Sequence, residues 1–237
     1  MTNARLDILY EDNHLLAINK RAGLPTMGVT AGMPSLVRLA KSYLKHKYNK
    51  PGNVYLGVMS RLDSVASGVT LLARTSKAAA RLTEQFRARR VAKIYWAIVS
   101  GSMEPPAGEL DDWVAKDEAR ERMVVVRPNT TGAKQALLSY RTLEKLDGGS
   151  LLEIELETGR KHQIRLQLSA RGFPIVGDRK YGSRALFVKN PKTSGSMPQA
   201  IALHARSLMI EHPVRGEEIT FVAPLPPTWR AWGVSAS

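Results

Sequence analysis

Cysteine is absent from the 237 residues, which excludes a disulfide framework, a thiolate-bound zinc and a cysteine nucleophile. No apolar run approaches the ~20 uncharged residues of a membrane-crossing helix; the longest, such as residues 68–73, are strand-sized. Residues 1–12 alternate polar and apolar side chains and lack the apolar block of a secretory signal. These absences lead us to expect a soluble, cytoplasmic protein with no membrane association. Phosphate-loop and dinucleotide-loop glycine patterns are also missing, as are a His-Glu-x-x-His pair and a Gly-x-Ser-x-Gly turn. The chemistry is therefore expected to need no metal and no cofactor, nucleotide cofactors included.

Acidic residues are scarce relative to basic ones. Asp and Glu number 21 against 35 Lys and Arg, a formal charge of +14, and the pI is near 10.2. A polyanionic partner would release its condensed counterions to such a surface. The basic residues are spread along the chain instead of forming one amphipathic helix or tail, which favours nucleic acid over a membrane surface. With 43% hydrophobic residues the composition is that of an ordinary globular protein.

Residues 7–10 and 14–19 read as a hairpin around Glu11-Asp12-Asn13. Ser35 can cap a helix whose Leu36, Leu39, Ala40, Tyr43 and Leu44 recur at helical spacing. Its other faces carry Arg38, Lys41, Lys45, His46 and Lys47, read as a solvated face or as phosphate contacts. Strands are expected over 54–59, 68–73, 91–99, 122–126, 134–143, 151–157, 200–210 and 218–222. Helices are expected from Ser76, as cap, to about Ala88 and over 162–170. The acidic stretch 102–117 reads as loop, and the polar run 189–198 as a mobile loop. With no internal repeat and no long linker, one mixed α+β domain on a largely antiparallel sheet is expected.

Two segments carry polar residues where strands end. In Ser60-Arg61-Leu62-Asp63, Arg61 and Asp63 fall on one side of an extended chain, and a carboxylate beside a guanidinium can serve as a nucleophile or as half of a surface pair. In residues 158–165 an apolar strand ends at Gly159, and Arg160, Lys161, His162, Gln163 and Arg165 crowd a helix start, where unpaired N–H groups attract anions. Asp111, Asp112, Asp117 and Glu118 could suggest a metal-dependent nuclease, but a solvated acidic loop is the better reading.

Ser60-Arg61-Leu62-Asp63, followed by Ser67-Gly68 and an apolar strand, resembles the His-Arg-Leu-Asp-x-x-x-Ser-Gly motif of the RluA-type RNA pseudouridine synthases. Residues 7–20 resemble that family's opening hairpin and 93–101 its tyrosine-bearing strand. Residues 158–165, 174–182, Leu203-His204-Ala205 and His212-Pro213 match further segments in order, so the resemblance covers about residues 7–226. Three departures stand out: Ser60 in place of histidine, Arg21 in place of proline, and Ser64-Val65-Ala66 in place of a polar triplet.

The resemblance implies an isomerase that breaks the N-glycosidic bond of a uridine in RNA, turns the uracil and rejoins it through carbon 5. It implies Asp63 as catalytic carboxylate, whether it attacks the ribose, takes a ribose proton or adds to the base. Tyr95 would stack on the uracil and take, or position the group that takes, the carbon-5 proton, and Arg165 would pair with Asp63. Arg61 would fill the gap left by the flipped base. Lys20, Arg160, Lys161, His162, Arg179 and Lys180 are candidate RNA contacts. The chain opens directly on the catalytic part, so no S4-type domain is expected, and recognition of a ribosomal or transfer RNA stem-loop by the catalytic domain, as a monomer, would follow. The alternative is a non-catalytic RNA-binding or ribosome-assembly factor, supported by Ser60 and the changed loop after Asp63.

Overall fold

The computed structural model describes residues 6–30, 32–188 and 200–234. Two compact units are present, Met1–Ala92 with Ala205–Pro226, and Lys93–His204 with Pro227–Ser237. In the first, β1 (Ile8–Glu11) and β2 (Leu15–Lys20) form a hairpin, β2 pairs with β4 (Ser67–Ala73), β4 neighbours β10 (Leu203–Glu211), and β11 (Glu218–Val222) pairs with β10. Successive side chains on a strand point to opposite faces. Leu15, Ala17, Val69 and Leu71 enter one core with Ala78 and Leu82 of α2 (Ser76–Arg87). Leu16, Ile18 and Leu72 enter another with Leu36, Ala40 and Leu44 of α1 (Leu36–Lys47). Both faces are covered, which is why β2 and β4 read as continuous apolar runs and not as alternating ones.

Two expectations change in detail here. Thr75, not Ser76, caps α2, its side chain accepting the Ala78 N–H. The strand expected over 54–59 shrinks to β3 (Gly57–Val58), because the N–H groups of Met59 and Ser60 both turn to the Leu71 carbonyl and leave the ladder. Gly68 has φ +114, and a Cβ there would stand 2.3 Å from the Ala205 carbonyl oxygen. Only glycine lets the two backbones approach this closely.

Asp12 fastens the β1–β2 turn. Its Oδ1 accepts the N–H groups of His14 and Leu15, both at 2.7 Å. Its Oδ2 accepts from the Tyr10 hydroxyl and, across 200 residues, from His212 Nε2 at 2.8 Å. Since His212 Nδ1 accepts the Val214 and Arg215 N–H groups, the proton of this buried imidazole sits on Nε2. Burial alone would raise the Asp12 pKa; the N–H groups of His14 and Leu15, with His212 and Tyr10, overcome it and hold the pKa at about 2.

The second unit is an antiparallel sheet in the order β5 (Ala92–Ser100), β9 (Gly149–Leu156), β8 (Lys134–Leu146), β6 (Ala107–Asp117), β7 (Arg122–Val126). Leu152, Ile154 and Leu156 of β9 are buried, as the alternation predicts, and the β8–β9 turn closes on Asp147-Gly148. The stretch read as an acidic loop is strand from Ala107 onward. Its carboxylates have partners that local sequence does not reveal: Asp111 accepts from Gln135 on β8, and Asp112 pairs with Arg171 at 2.7 Å, while Leu110 and Val114 face inward. α3 (Gln163–Ala170) sets Leu166 against Val114, Ala136 and Tyr181. The chain is thus α+β on largely antiparallel sheet, as expected. The run 189–198 lies outside the described residues.

Two measurements test this account. Because the folded-state pKa of Asp12 is depressed, its contribution is complete above the ordinary carboxylate value and lost as pH falls toward 2. The stability advantage of wild type over Asp12→Asn in urea denaturation is expected to shrink by about 1–2 kcal/mol between pH 5 and pH 2; a constant difference would show that the carboxylate is not the anchor. Gly68→Ala is expected to lower stability by about 3 kcal/mol, read as a fall in the urea midpoint.

Candidate active site

Asp63 is half-buried on the loop between β3 and β4, preceded by exposed Arg61 and buried Leu62. Two side chains outside this loop, Thr26 and Lys20, and one within it, Ser60, hold it in place. Thr26, itself buried, accepts the Leu62 N–H at 3.2 Å and donates to the Leu62 carbonyl at 2.9 Å. Ser60 Oγ accepts the Leu71 N–H at 2.9 Å. Lys20 Nζ donates to the carbonyls of Ala66 at 2.7 Å, Leu24 at 2.9 Å, Arg21 at 3.1 Å and Ser64 at 3.4 Å. The loop is thereby fixed through its backbone N–H and carbonyl groups.

This changes the reading of Lys20. Expected as a phosphate contact, it is fully buried at the end of β2, its ammonium spent on loop carbonyls. Burial lowers its pKa to about 7, while the charge of Asp63 acts in the opposite direction. Ser60, the departure from the motif's histidine, completes a backbone hydrogen bond where β4 would otherwise leave a donor unpaired.

In the second unit Tyr95 stands half-buried on β5, in register with Ile154 of β9. Arg165 lies on α3, 5% exposed, and its Nε and Nη2 grip the two Asp178 oxygens at 2.6 and 2.8 Å. Its guanidinium also lies 5.0 Å from the centre of the Tyr181 ring. The Tyr181 hydroxyl meets His162 Nδ1 at 2.8 Å and accepts the Met123 N–H at 3.2 Å. Asp178 and Tyr181 were not singled out from sequence, although they sit in the Gly177–Gly182 segment whose resemblance to a family motif was noted. A buried aspartate there is the signal that could have found Arg165's partner.

The expected RNA contacts divide into two sets. Arg61, Lys161, Arg179 and Lys180 are exposed, Lys180 resting its Nζ on the Glu121 carbonyl. Arg160 and His162 are occupied within the fold: Arg160 Nε donates to the Gln135 carbonyl, and His162, at φ 54, opens α3 and packs on Tyr181. Gln163 completes this turn, its Oε1 accepting from the Thr158 hydroxyl and the Arg160 N–H. Among the described residues no three His, Asp or Glu side chains are grouped to hold a metal ion. Among them, too, no helix is long and apolar enough to cross a membrane.

A family model described as RNA pseudouridylate synthase matches residues 14–170. The dual-specificity RNA pseudouridine synthase RluA of Haemophilus influenzae is 34% identical over 224 residues, covering 92% of each chain. The ribosomal large subunit pseudouridine synthase D of Pseudomonas aeruginosa is 36% identical over 231 residues, covering 93% of this chain and 68% of that one. Among solved structures, human RNA pseudouridylate synthase domain containing 4 superposes with a TM-score of 0.74 at 30% identity, covering 94% of this chain and 90% of that one. Sequence motifs, α+β architecture and these matches agree: the chain belongs to the RNA pseudouridylate synthase family, whose members are isomerases.

Proposed function

We propose that this protein converts particular uridines of structured ribosomal or transfer RNA into pseudouridine, acting as a cytoplasmic monomer through Asp63, Tyr95 and Arg165. The bond from ribose carbon 1 to uracil N1 breaks and one to carbon 5 forms. Carbon 5 gives up its proton and N1 gains one, so no bond energy enters from outside. Asp63 is the carboxylate of the exchange. Tyr95 offers a face for the uracil and the hydroxyl that takes or relays the carbon-5 proton. Arg165, held by its bidentate contact with Asp178, is the third residue of the proposed set, carried over from the family resemblance. Arg61 fills the stack when the base leaves it, an excursion costing on the order of a few kcal/mol, and Lys161, Arg179 and Lys180 meet phosphates.

The observation that supports this reading most is the way the Asp63 loop is built. Lys20, Thr26 and Ser60 fix the loop and its surroundings through seven hydrogen bonds, to the backbone of Leu62, Ser64, Ala66, Arg21, Leu24 and Leu71. A loop that served only as an RNA-binding surface would not require its one carboxylate to be aimed so firmly. Ser60 has a structural task of its own, so its difference from histidine lends no weight to a non-catalytic RNA-binding factor.

Unmodified ribosomal and transfer RNA transcripts carrying tritium at uridine carbon 5 should release it to water with the wild-type protein. Asp63→Asn should bind the same RNA and lower release more than about 100-fold. Equal release by both proteins rejects the catalytic assignment, and tight binding with no release by wild type favours the binding-factor reading. Thr26→Val removes one hydroxyl that serves two buried backbone groups, a loss on the order of 1–3 kcal/mol. Tritium release at saturating RNA should fall about tenfold and return with Thr26→Ser; a Thr26→Val protein as active as wild type would show that this anchor does not position the aspartate.

A further inference from the structure

From residue 13 to residue 62 the chain contains no aspartate or glutamate and eight lysines and arginines. This acid-free stretch ends at Asp63 and includes the whole of α1. One stripe of the helix, Arg38, Lys41 and Lys45, is exposed, the three residues following one another at helical spacing over roughly 10 Å. Lys47 is neutralised by Glu11 at 2.8 Å. Lys41 and Lys45 differ: among the described residues they have no hydrogen bond or ion pair. The helix offers no carboxylate of its own, and its first turn contains none. Like charges at these spacings, and a cation near the helix N-terminus, each oppose folding slightly; Arg38 offsets this with a hydrogen bond to the Met33 carbonyl and Lys45 with its place in the last turn, while Lys41 has neither compensation.

The position of α1 connects the stripe to the reaction. Its first N–H groups, those of Leu36 and Val37, donate to the carbonyls of Pro25 and Thr26, and Thr26 is the residue that grips Leu62 beside Asp63. The helix thus begins at the same anchor that holds the candidate catalytic loop, and its cations lead away from that point. We propose that Arg38, Lys41 and Lys45 form a docking stripe for the phosphate backbone of substrate RNA beyond the reacting uridine. This rests on the RNA-modifying function proposed above. It assigns recognition to a surface that reads phosphate position and not base identity, which suits a substrate selected by shape.

The test compares wild type, Lys41→Glu/Lys45→Glu and a control, Arg87→Glu/Lys145→Glu, on an unmodified large-subunit ribosomal RNA transcript across a salt series. The control removes the same net charge from two exposed cations already paired with Glu84 and Glu104. Loss of two phosphate contacts should lower the slope of log affinity against log salt by about 1.5–2, with affinity at low salt down at least tenfold and the thermal transition unchanged. A slope and affinity equal to wild type, or the same losses in the control, would overturn the stripe. Wild type that neither binds this RNA nor releases tritium from labelled RNA would overturn the enzymatic reading itself, a result distinct from the failure of α1.

Discussion

A single hydroxyl joins the parts of the first unit that matter for chemistry. Thr26 Oγ1 takes the Leu62 N–H and returns a proton to the Leu62 carbonyl, while the Thr26 carbonyl receives a first-turn N–H of α1. A catalytic carboxylate has to be aimed without being neutralised by what aims it. Anchoring the backbone on either side of Asp63 sets the position of the proposed catalytic carboxylate. Lys20 contributes from below: its ammonium reaches four carbonyls around the loop, and the charge of Asp63 acts on it as well.

Arg165 in the second unit is handled in the complementary way. Its fork is engaged at Nε and Nη2 by Asp178 and its plane lies near Tyr181, so its orientation is set by two buried neighbours. Removing one partner from such a pair is strongly destabilising because the other charge is left buried. The His162–Tyr181 contact then ties the start of α3 to the same cluster. Much of the motif 158–165 is therefore occupied in shaping the turn that presents Arg165, and only Lys161 among its cations is fully at the surface.

How far the chain could be read in advance depended on whether the informative partner was near in sequence. β2 and β4 were legible as short continuous apolar runs, and the α1 face at Leu36, Ala40 and Leu44 because burial imposes a local periodicity. β9 was legible for the same reason. β6 was not, since its polar residues obtain their partners from β8 and from Arg171, 59 residues away. Thr26 looked like any loop hydroxyl, its partner being 36 residues distant. Lys20 was misjudged because lysine is rarely buried; nothing local announces that four carbonyls will converge on it. The family motifs identified the chemistry from order alone, while the supporting residues became visible only in three dimensions.

The unit that carries Asp63 is assembled from two stretches far apart in the chain, Met1–Ala92 and Ala205–Pro226. During synthesis its N-terminal portion emerges first and waits for β10 and β11. Throughout that wait β4 has an open edge, with main-chain donors and acceptors available for unwanted pairing. Gly68 lets β10 close that edge, since its lack of a Cβ admits the Ala205 backbone. The sheet that carries the Asp63 loop is therefore complete only when residues far along the chain join it, and until then its open edge is a site for unwanted association.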